Sequence, residues 1–340
     1  MLKPTLAAVA ALATVSAASA EDIVMQSIYA STLPLLGDTG TALGEKVSLL
    51  TNGELNIHFE EPGAIVAGGE IWDAVSTGAV DAGWYSPGFA QSIIPAAGLF
   101  TAVPFGPDVK EYTAWWYHGG GYETWNEIGS RFNIHSELCT VLVPEASGWF
   151  REPIESVEDL QGLKMRIFGL GARVMQKLGV QAQSLPPADA MTALRLGTID
   201  SAEISFPAID LNLEMNSFAN HYYFPGWHQQ TSLITFIINT DVWNGLSDQQ
   251  RAVIQEVCTA NVTRSLARGE SMQLEPMATL REAGVEFHTW SPEMLDAFRG
   301  AWEEVAAEMS EEDEEFAQVW EDFQAFREQY SEWANYGYLK

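Results

Sequence analysis

Basic residues are the scarcest resource in this 340-residue chain. Lys and Arg number 17 against 46 Asp and Glu, for a formal net charge of −29. Nucleic-acid binding needs a positive footprint, so no nucleic-acid partner is expected. An anionic membrane surface is excluded on the same ground. Cysteine is nearly absent: Cys139 and Cys258 are the only two, too few for a thiolate zinc site. Buried free thiols are the plainer reading of the pair, with a disulfide as the alternative that export would allow. Beyond the first residues no apolar run is long enough to span a bilayer. Catalytic signatures are missing too. There is no His-Glu-x-x-His helix, and His118-Gly119-Gly120-Gly121 has no Gly-x-Ser-x-Gly turn to serve. Gly169-Leu170-Gly171 begins a dinucleotide-like pattern, but Val174 stands where the third Gly belongs. No enzyme is expected.

What is present starts with an address. Lys3, the apolar run Leu6 to Val15 and Ala18-Ser19-Ala20 read as a secretory signal peptide over 1–20, cleaved after Ala20. Its core is nearer ten residues than the roughly 20 a spanning helix needs. The mature chain is expected in the periplasm.

Strand-like and helix-like segments then alternate, which predicts an α/β architecture. Strands are read at Ile23 to Tyr29, Leu55 to Phe59, Ala79 to Tyr85, Leu163 to Phe168, Val180 to Leu185 and Thr198 to Ile204. Helices are read at Thr39 to Leu50, Gly69 to Thr77, Ala172 to Leu178, Pro187 to Leu196 and Asp248 to Leu266. One long acidic helix is expected from Pro292 to Gln329. Residues 74–83 echo 193–202, each a helix end, a Gly suited to the left-handed C′ position and an apolar-Asp pair opening a strand. The echo implies two similar α/β halves, with ligands held beyond the carboxyl ends of their strands. That places Trp84, Tyr85 and Ser86 on one side of a cleft and Glu203, Ile204 and Ser205 on the other.

Arg166 lies among apolar neighbours in Leu163-Lys164-Met165-Arg166-Ile167. A partly buried guanidinium needs an acidic partner and suits a carboxylate bidentately. An internal Asp or Glu could fill that role. The Gly- and Pro-interrupted aromatic runs 147–150 and 222–228 suit pocket walls and favour a ligand. Trp84, Tyr85, Trp149 and Trp227 are the wall candidates.

Several segments resemble the solute-binding receptors of tripartite ATP-independent periplasmic (TRAP) transporters. They are Pro62-Gly63-Ala64-Ile65-Val66, Ala102-Val103-Pro104-Phe105-Gly106, Gly148-Trp149-Phe150-Arg151-Glu152, Asp159 to Ile167, Gly197 to Glu203 and Tyr222 to His228. The Gly-Trp-Phe and Phe-Pro-Gly-Trp-His runs look like the 2-oxo acid and lactate branch, also labelled mannitol/chloroaromatic. The resemblance implies a type II-like, two-domain periplasmic binding protein with a cleft between domains and long C-terminal helices. The expected units are 21–143 plus 232–275 and 144–231 plus 276–340. It implies capture of a small organic acid anion, most naturally a 2-oxo or 2-hydroxy monocarboxylate, for sodium-driven uptake through a small and a large membrane subunit. Homodimers occur in this branch.

By the same resemblance Arg166 pairs with the substrate carboxylate. A sodium or calcium ion bridges substrate and protein through Glu145, Glu203, Gln229 and backbone oxygen near Ile204; no organic cofactor is implied. This chain departs from the branch, which usually has Gln at Glu145, Trp at Ile204 and Glu at Gln229. Two acids, Glu145 and Glu203, are thereby kept around the implied cation, and hard oxygen donors suit sodium or calcium. Ile204 in place of Trp is expected to enlarge the pocket, which keeps sulfonates, polyols and aromatic acids in view. An exported lyase or hydrolase on the same scaffold is the reading of another class.

Overall fold

A computed structural model describes residues 20–339. The signal-peptide reading lies outside these residues, apart from Ala20. No described helix is long and apolar enough to cross a membrane.

Two sheets organise the chain. The first takes β1 (Glu21–Ser27), β2 (Leu55–Glu60), β3 (Ala82–Tyr85) and β4 (Ile134–Leu142). The second takes β5 (Gly148–Phe150), β6 (Lys164–Arg166), β7 (Gln181–Gln183), β8 (Ser201–Ala202) and β9 (His221–Phe224). The chain then returns to the first sheet as β10 (Ser232–Asn239), and later closes the second with β11 (Glu286–Thr289). The orders are β2-β1-β3-β10-β4 and β11-β9-β5-β8-β6-β7. β10 runs antiparallel between β3 and β4. All eight of its residues are buried, as a strand covered on both faces requires.

The sequence echo marks equivalent places in the two sheets. Gly78 and Gly197 have φ of 74° and 68°, the left-handed geometry that ends a helix without strain. β3 and β8 follow them. Helix Pro187–Leu196 begins on Pro, whose fixed φ suits the first turn, and ends at Gly197.

Two sequence expectations are corrected. The acidic C-terminal stretch forms two helices, Pro292–Glu312 and Glu314–Gly337. Asp313 is extended (φ −140°, ψ 115°) and its carboxylate accepts the Phe316 N–H at 2.6 Å. An Asp inside an acid run thus acts as a helix N-cap, which breaks the continuous helix. The first of these helices packs on Leu170–Lys177, where Lys177 meets Glu304 at 3.1 Å. The second crosses back to the first half, where Phe323 packs on Trp115 and Tyr112 and Arg327 pairs with Glu111 at 2.9 Å.

The second correction concerns the cysteines, which are not free thiols: Cys139 and Cys258 form a disulfide. Helix Asp248–Ser271 lies over β4, and Ser265 on its buried face accepts the Val141 N–H at 3.1 Å. This packing brings together two sulfurs 119 residues apart. A covalent loop of that length restricts the unfolded chain strongly. Reduction is expected to lower unfolding free energy by about 2–4 kcal/mol. Urea midpoints with and without reductant, compared at equal slope, check this.

Candidate functional site

The strand ends meet in a small cavity between the sheets. Its lining includes Tyr29, Leu36, Phe89, Leu142 and Ser232 from the first half. From the second half and the crossing segments come Glu145, Arg166, Phe168, Pro187, Glu203, Ile204 and Gln229. The cavity measures about 20 Å³, room for one or two waters. Phe89 and Phe168 meet across it with ring centroids 4.5 Å apart. In this conformation the cavity leaves no room for a molecule much larger than water.

Five of the sequence-predicted site residues converge here: Glu145, Arg166, Glu203, Ile204 and Gln229. Arg166 ends β6, and Glu203 follows β8, paired parallel to β6. Glu145 and Gln229 lie on the two segments that cross between sheets. Those segments are joined where the Gly226 N–H donates to Glu145 O at 2.8 Å and the Glu145 N–H to Gln229 O at 3.4 Å. A Cβ on Gly226 would sit 2.4 Å from the Glu145 carbonyl oxygen, so the crossing needs glycine at that position.

The aromatic wall is composed differently from the expectation. None of Trp84, Tyr85, Trp149 and Trp227 lines the cavity. Trp84 donates its indole N–H to Leu36 O at 2.6 Å. Tyr85 lies between Trp72 and Phe89. Trp149 stacks on Tyr222 at 3.9 Å and donates to Asp210 at 2.7 Å. Trp227 is sandwiched by Phe105 and Phe298. Trp84 and Tyr85 end a strand buried on both faces, so alternation gave no sign of which face meets the cleft. The wall comes instead from Tyr29, Phe89 and Phe168, which follow β1, β3 and β6. Ile204 lines the cavity beside these rings.

Arg166 has the internal acid partner that the plainer reading allowed. Nη1 pairs with Glu203 Oε2 at 2.9 Å and also donates to the Glu203 carbonyl, while Nε donates to Leu185 O at 2.9 Å. Nη2 has no hydrogen bond to the described residues. Glu203 Oε2 also accepts the Phe168 N–H at 3.0 Å. Burial opposes the Glu203 charge. Arg166, His228 and the Phe168 N–H outweigh it and hold the carboxyl at about 2. Glu145 is pushed well above the usual carboxylate range by burial and by Glu203 beside it. Two carboxylates in one dry site resist double ionisation unless a cation joins them.

Three oxygens here are buried and have no hydrogen-bond partner among the described residues: Glu145 Oε2, Glu203 Oε1 and Gln229 Oε1. Buried polar atoms are rarely orphaned. Three hard donors on one cavity form a set that sodium or calcium would satisfy, so the residues fit a bound cation. His228, to which sequence reasoning gave no role, joins them. Neither ring nitrogen has a hydrogen bond among the described residues, and Nε2 lies within ion-pair range of Glu203 Oε2 at 3.7 Å.

A supporting layer was also missed. The Ser205 hydroxyl donates to Glu145 Oε1 at 2.6 Å, and its N–H to Asp210 Oδ1 at 3.1 Å. Asp210 Oδ2 accepts from Trp149 and Tyr222, both at 2.7 Å. Burial lifts Asp210 to about 7. Of this layer, sequence reasoning reached Ser205, by its position beyond β8, and Trp149, as a wall candidate; Asp210 and Tyr222 carried no role of their own.

Comparison with known proteins fits this geometry. Residues 26–313 match the family model for bacterial extracellular solute-binding proteins, family 7. A monocarboxylate 2-oxoacid-binding periplasmic protein of Nostoc sp. is 34% identical over 300 residues, 86% of this chain and 82% of that protein. A TRAP transporter solute-binding protein from Bordetella bronchiseptica superposes with a TM-score of 0.91 at 29% identity, covering 94% of this chain and 95% of that one. It is a dimer described with calcium and picolinate in its bound active site. A TRAP periplasmic solute-binding protein from Pseudoalteromonas atlantica, described with sodium and pyruvate, superposes with a TM-score of 0.88 at 26% identity. That match covers 94% of this chain and 97% of its counterpart.

Proposed function

The chain belongs to family 7 of the bacterial extracellular solute-binding proteins, and from that premise we propose that it is the periplasmic receptor of a TRAP transporter for a small monocarboxylate. A 2-oxo or 2-hydroxy acid is the preferred class. The observation that carries the reading is one buried guanidinium beside three orphaned oxygens in a cavity closed by both halves.

In this reading, 21–143 plus 232–275 and 144–231 plus 276–340 are the two moving units, with the last helix reaching across as a strap. Opening separates Phe89 from Phe168 and exposes Arg166. The ligand carboxylate meets Arg166 at Nη2, because Nε and Nη1 are already engaged; contact through one nitrogen replaces the expected bidentate fork. Glu145, Glu203 and Gln229 would hold sodium or calcium, with the backbone near Ile204 as a further donor. When bound, the ion would supply positive charge to the anionic ligand. Tyr29, Phe89 and Phe168 exclude water, which strengthens each polar contact. Glu145 and Gln229 sit on the crossing segments, so ligand capture and closure act on the same backbone. Membrane subunits recognise the closed form. Export with cleavage after Ala20 completes the proposal.

The net charge of −29 does not oppose anion capture. Surface acids are screened over about 8 Å at physiological ionic strength, while the closed cleft presents Arg166 and the ion. A thermal-shift panel of 2-oxo acids, 2-hydroxy acids, dicarboxylates, polyols and sulfonates tests the class. A bound ligand raises the melting temperature by mass action. Shifts are expected for short 2-oxo or 2-hydroxy monocarboxylates. A shift only for polyols or sulfonates would replace the proposed class, and turnover of an acid would replace the receptor.

A further inference from the structure

The far edge of the second sheet carries a second set of donors, away from β6 and β8. Among the described residues β11 is the terminal strand and pairs only with β9, placing Glu286 opposite His221 and His288 opposite Tyr223. Strand alternation puts Glu286 and His288 on one face. His221 Nδ1 lies 3.0 Å from His288 Nε2 and 3.7 Å from Glu286 Oε2. His288 Nε2 is 3.9 Å from the same oxygen. The three donor atoms therefore form a closed triangle.

Two ligands on a tetrahedral ion with bonds of about 2.0–2.1 Å stand roughly 3.3 Å apart. The triangle brackets that spacing and needs only small rotations. The rings are also held in place. Tyr223 stacks on His288 at 4.6 Å and 14°, and the His221 side chain is 13% exposed. A hydrogen bond between two neutral imidazoles has no use for a carboxylate on the same side. Glu286 supplies the negative charge of the triangle.

We propose that His221, Glu286 and His288 form a binding site for a divalent transition-metal ion of the zinc class, separate in place and chemistry from the cleft. Imidazole donors select zinc, copper or nickel, whereas sodium and calcium require more oxygen. Three protein ligands leave one position for water or an outside donor. The ion would join residues 67 positions apart and fasten the edge strand β11 to β9.

Zinc alone is the probe. The mature chain is dialysed against zinc with excess calcium to occupy the cleft oxygens, and bound metal is counted by mass spectrometry. One zinc per chain and a raised melting temperature are expected. His221→Ala with His288→Ala should abolish that zinc while organic-acid binding in the cleft stays unchanged. Glu286→Gln alters an exposed side chain, leaves the core alone, and should weaken zinc at least about tenfold. No zinc on the unaltered chain, or equal zinc on the double variant, overturns the site. Unchanged affinity in Glu286→Gln overturns the three-donor set.

Discussion

Arg166→Ala is expected to lower organic-acid affinity by about 2–5 kcal/mol, the cost of truncating one partner of a buried charge pair. At 1.4 kcal/mol per tenfold, that is roughly 30- to several-thousand-fold. The change removes the Nη2 contact proposed for the ligand. It also leaves Glu203, at 0% exposure, without its partner, so unfolding free energy should fall as well. Arg166→Lys separates the two effects. Its ammonium keeps a charge beside Glu203 and preserves most of the stability. It lacks the planar fork that reaches Leu185 O, the Glu203 carbonyl and a ligand together. Arg166→Lys should therefore keep a near-normal urea midpoint yet bind the acid at least about tenfold more weakly, one charged hydrogen bond being worth roughly 1.5–3 kcal/mol. A folded Arg166→Lys chain with undiminished affinity would make Arg166 structural only.

Removal of the cleft cation is the second large effect. Chelation of divalent ions together with replacement of sodium by a bulky organic cation should weaken acid binding by about 10- to 150-fold, the loss of one charge-assisted contact of roughly 1.5–3 kcal/mol. The structure supplies the reason. Burial and Glu203 drive the Glu145 carboxyl upward, while three oxygens lack partners among the described residues. An ion resolves both conditions at once. Glu203→Gln should mimic chelation, because it removes one donor charge and the Arg166 ion pair. Calorimetric titrations with sodium, with calcium and with neither measure the effect. Equal affinity in all three would remove the ion from the account.

The sequence made the scaffold legible wherever a local signal had one physical meaning. Gly78 and Gly197 predict left-handed helix ends followed by strands, and both are found. The second of these strands carries Glu203 and Ile204 to the cavity. Arg166 stands out as a guanidinium in an apolar strand, whereas Glu145 and Gln229 enter only through the family resemblance, since composition and spacing say nothing about which buried residues meet. Information ran out where tertiary packing decides. Trp84 and Trp149 are apolar, Gly-flanked and strand-borne, yet each commits its indole N–H to an internal acceptor, Leu36 O and Asp210 Oδ2. Tyr29 lies in a bend just past β1, which ends two residues short of the strand end read from the sequence, and Phe89 in the single 3-10 turn Pro87–Ala90, too short for periodicity to orient. The Cys139–Cys258 bond depends on one helix lying over one strand. The break at Asp313 required distinguishing one capping acid from its acidic neighbours.

The most direct test of the central claim is a calorimetric titration of the metal-replete mature chain with a short 2-oxo acid, alongside its alcohol analogue lacking the carboxylate. Saturable one-to-one binding of the acid, with no detectable binding of the alcohol, is the predicted result. Equal binding of both, or binding of neither, would contradict a carboxylate receptor built around Arg166.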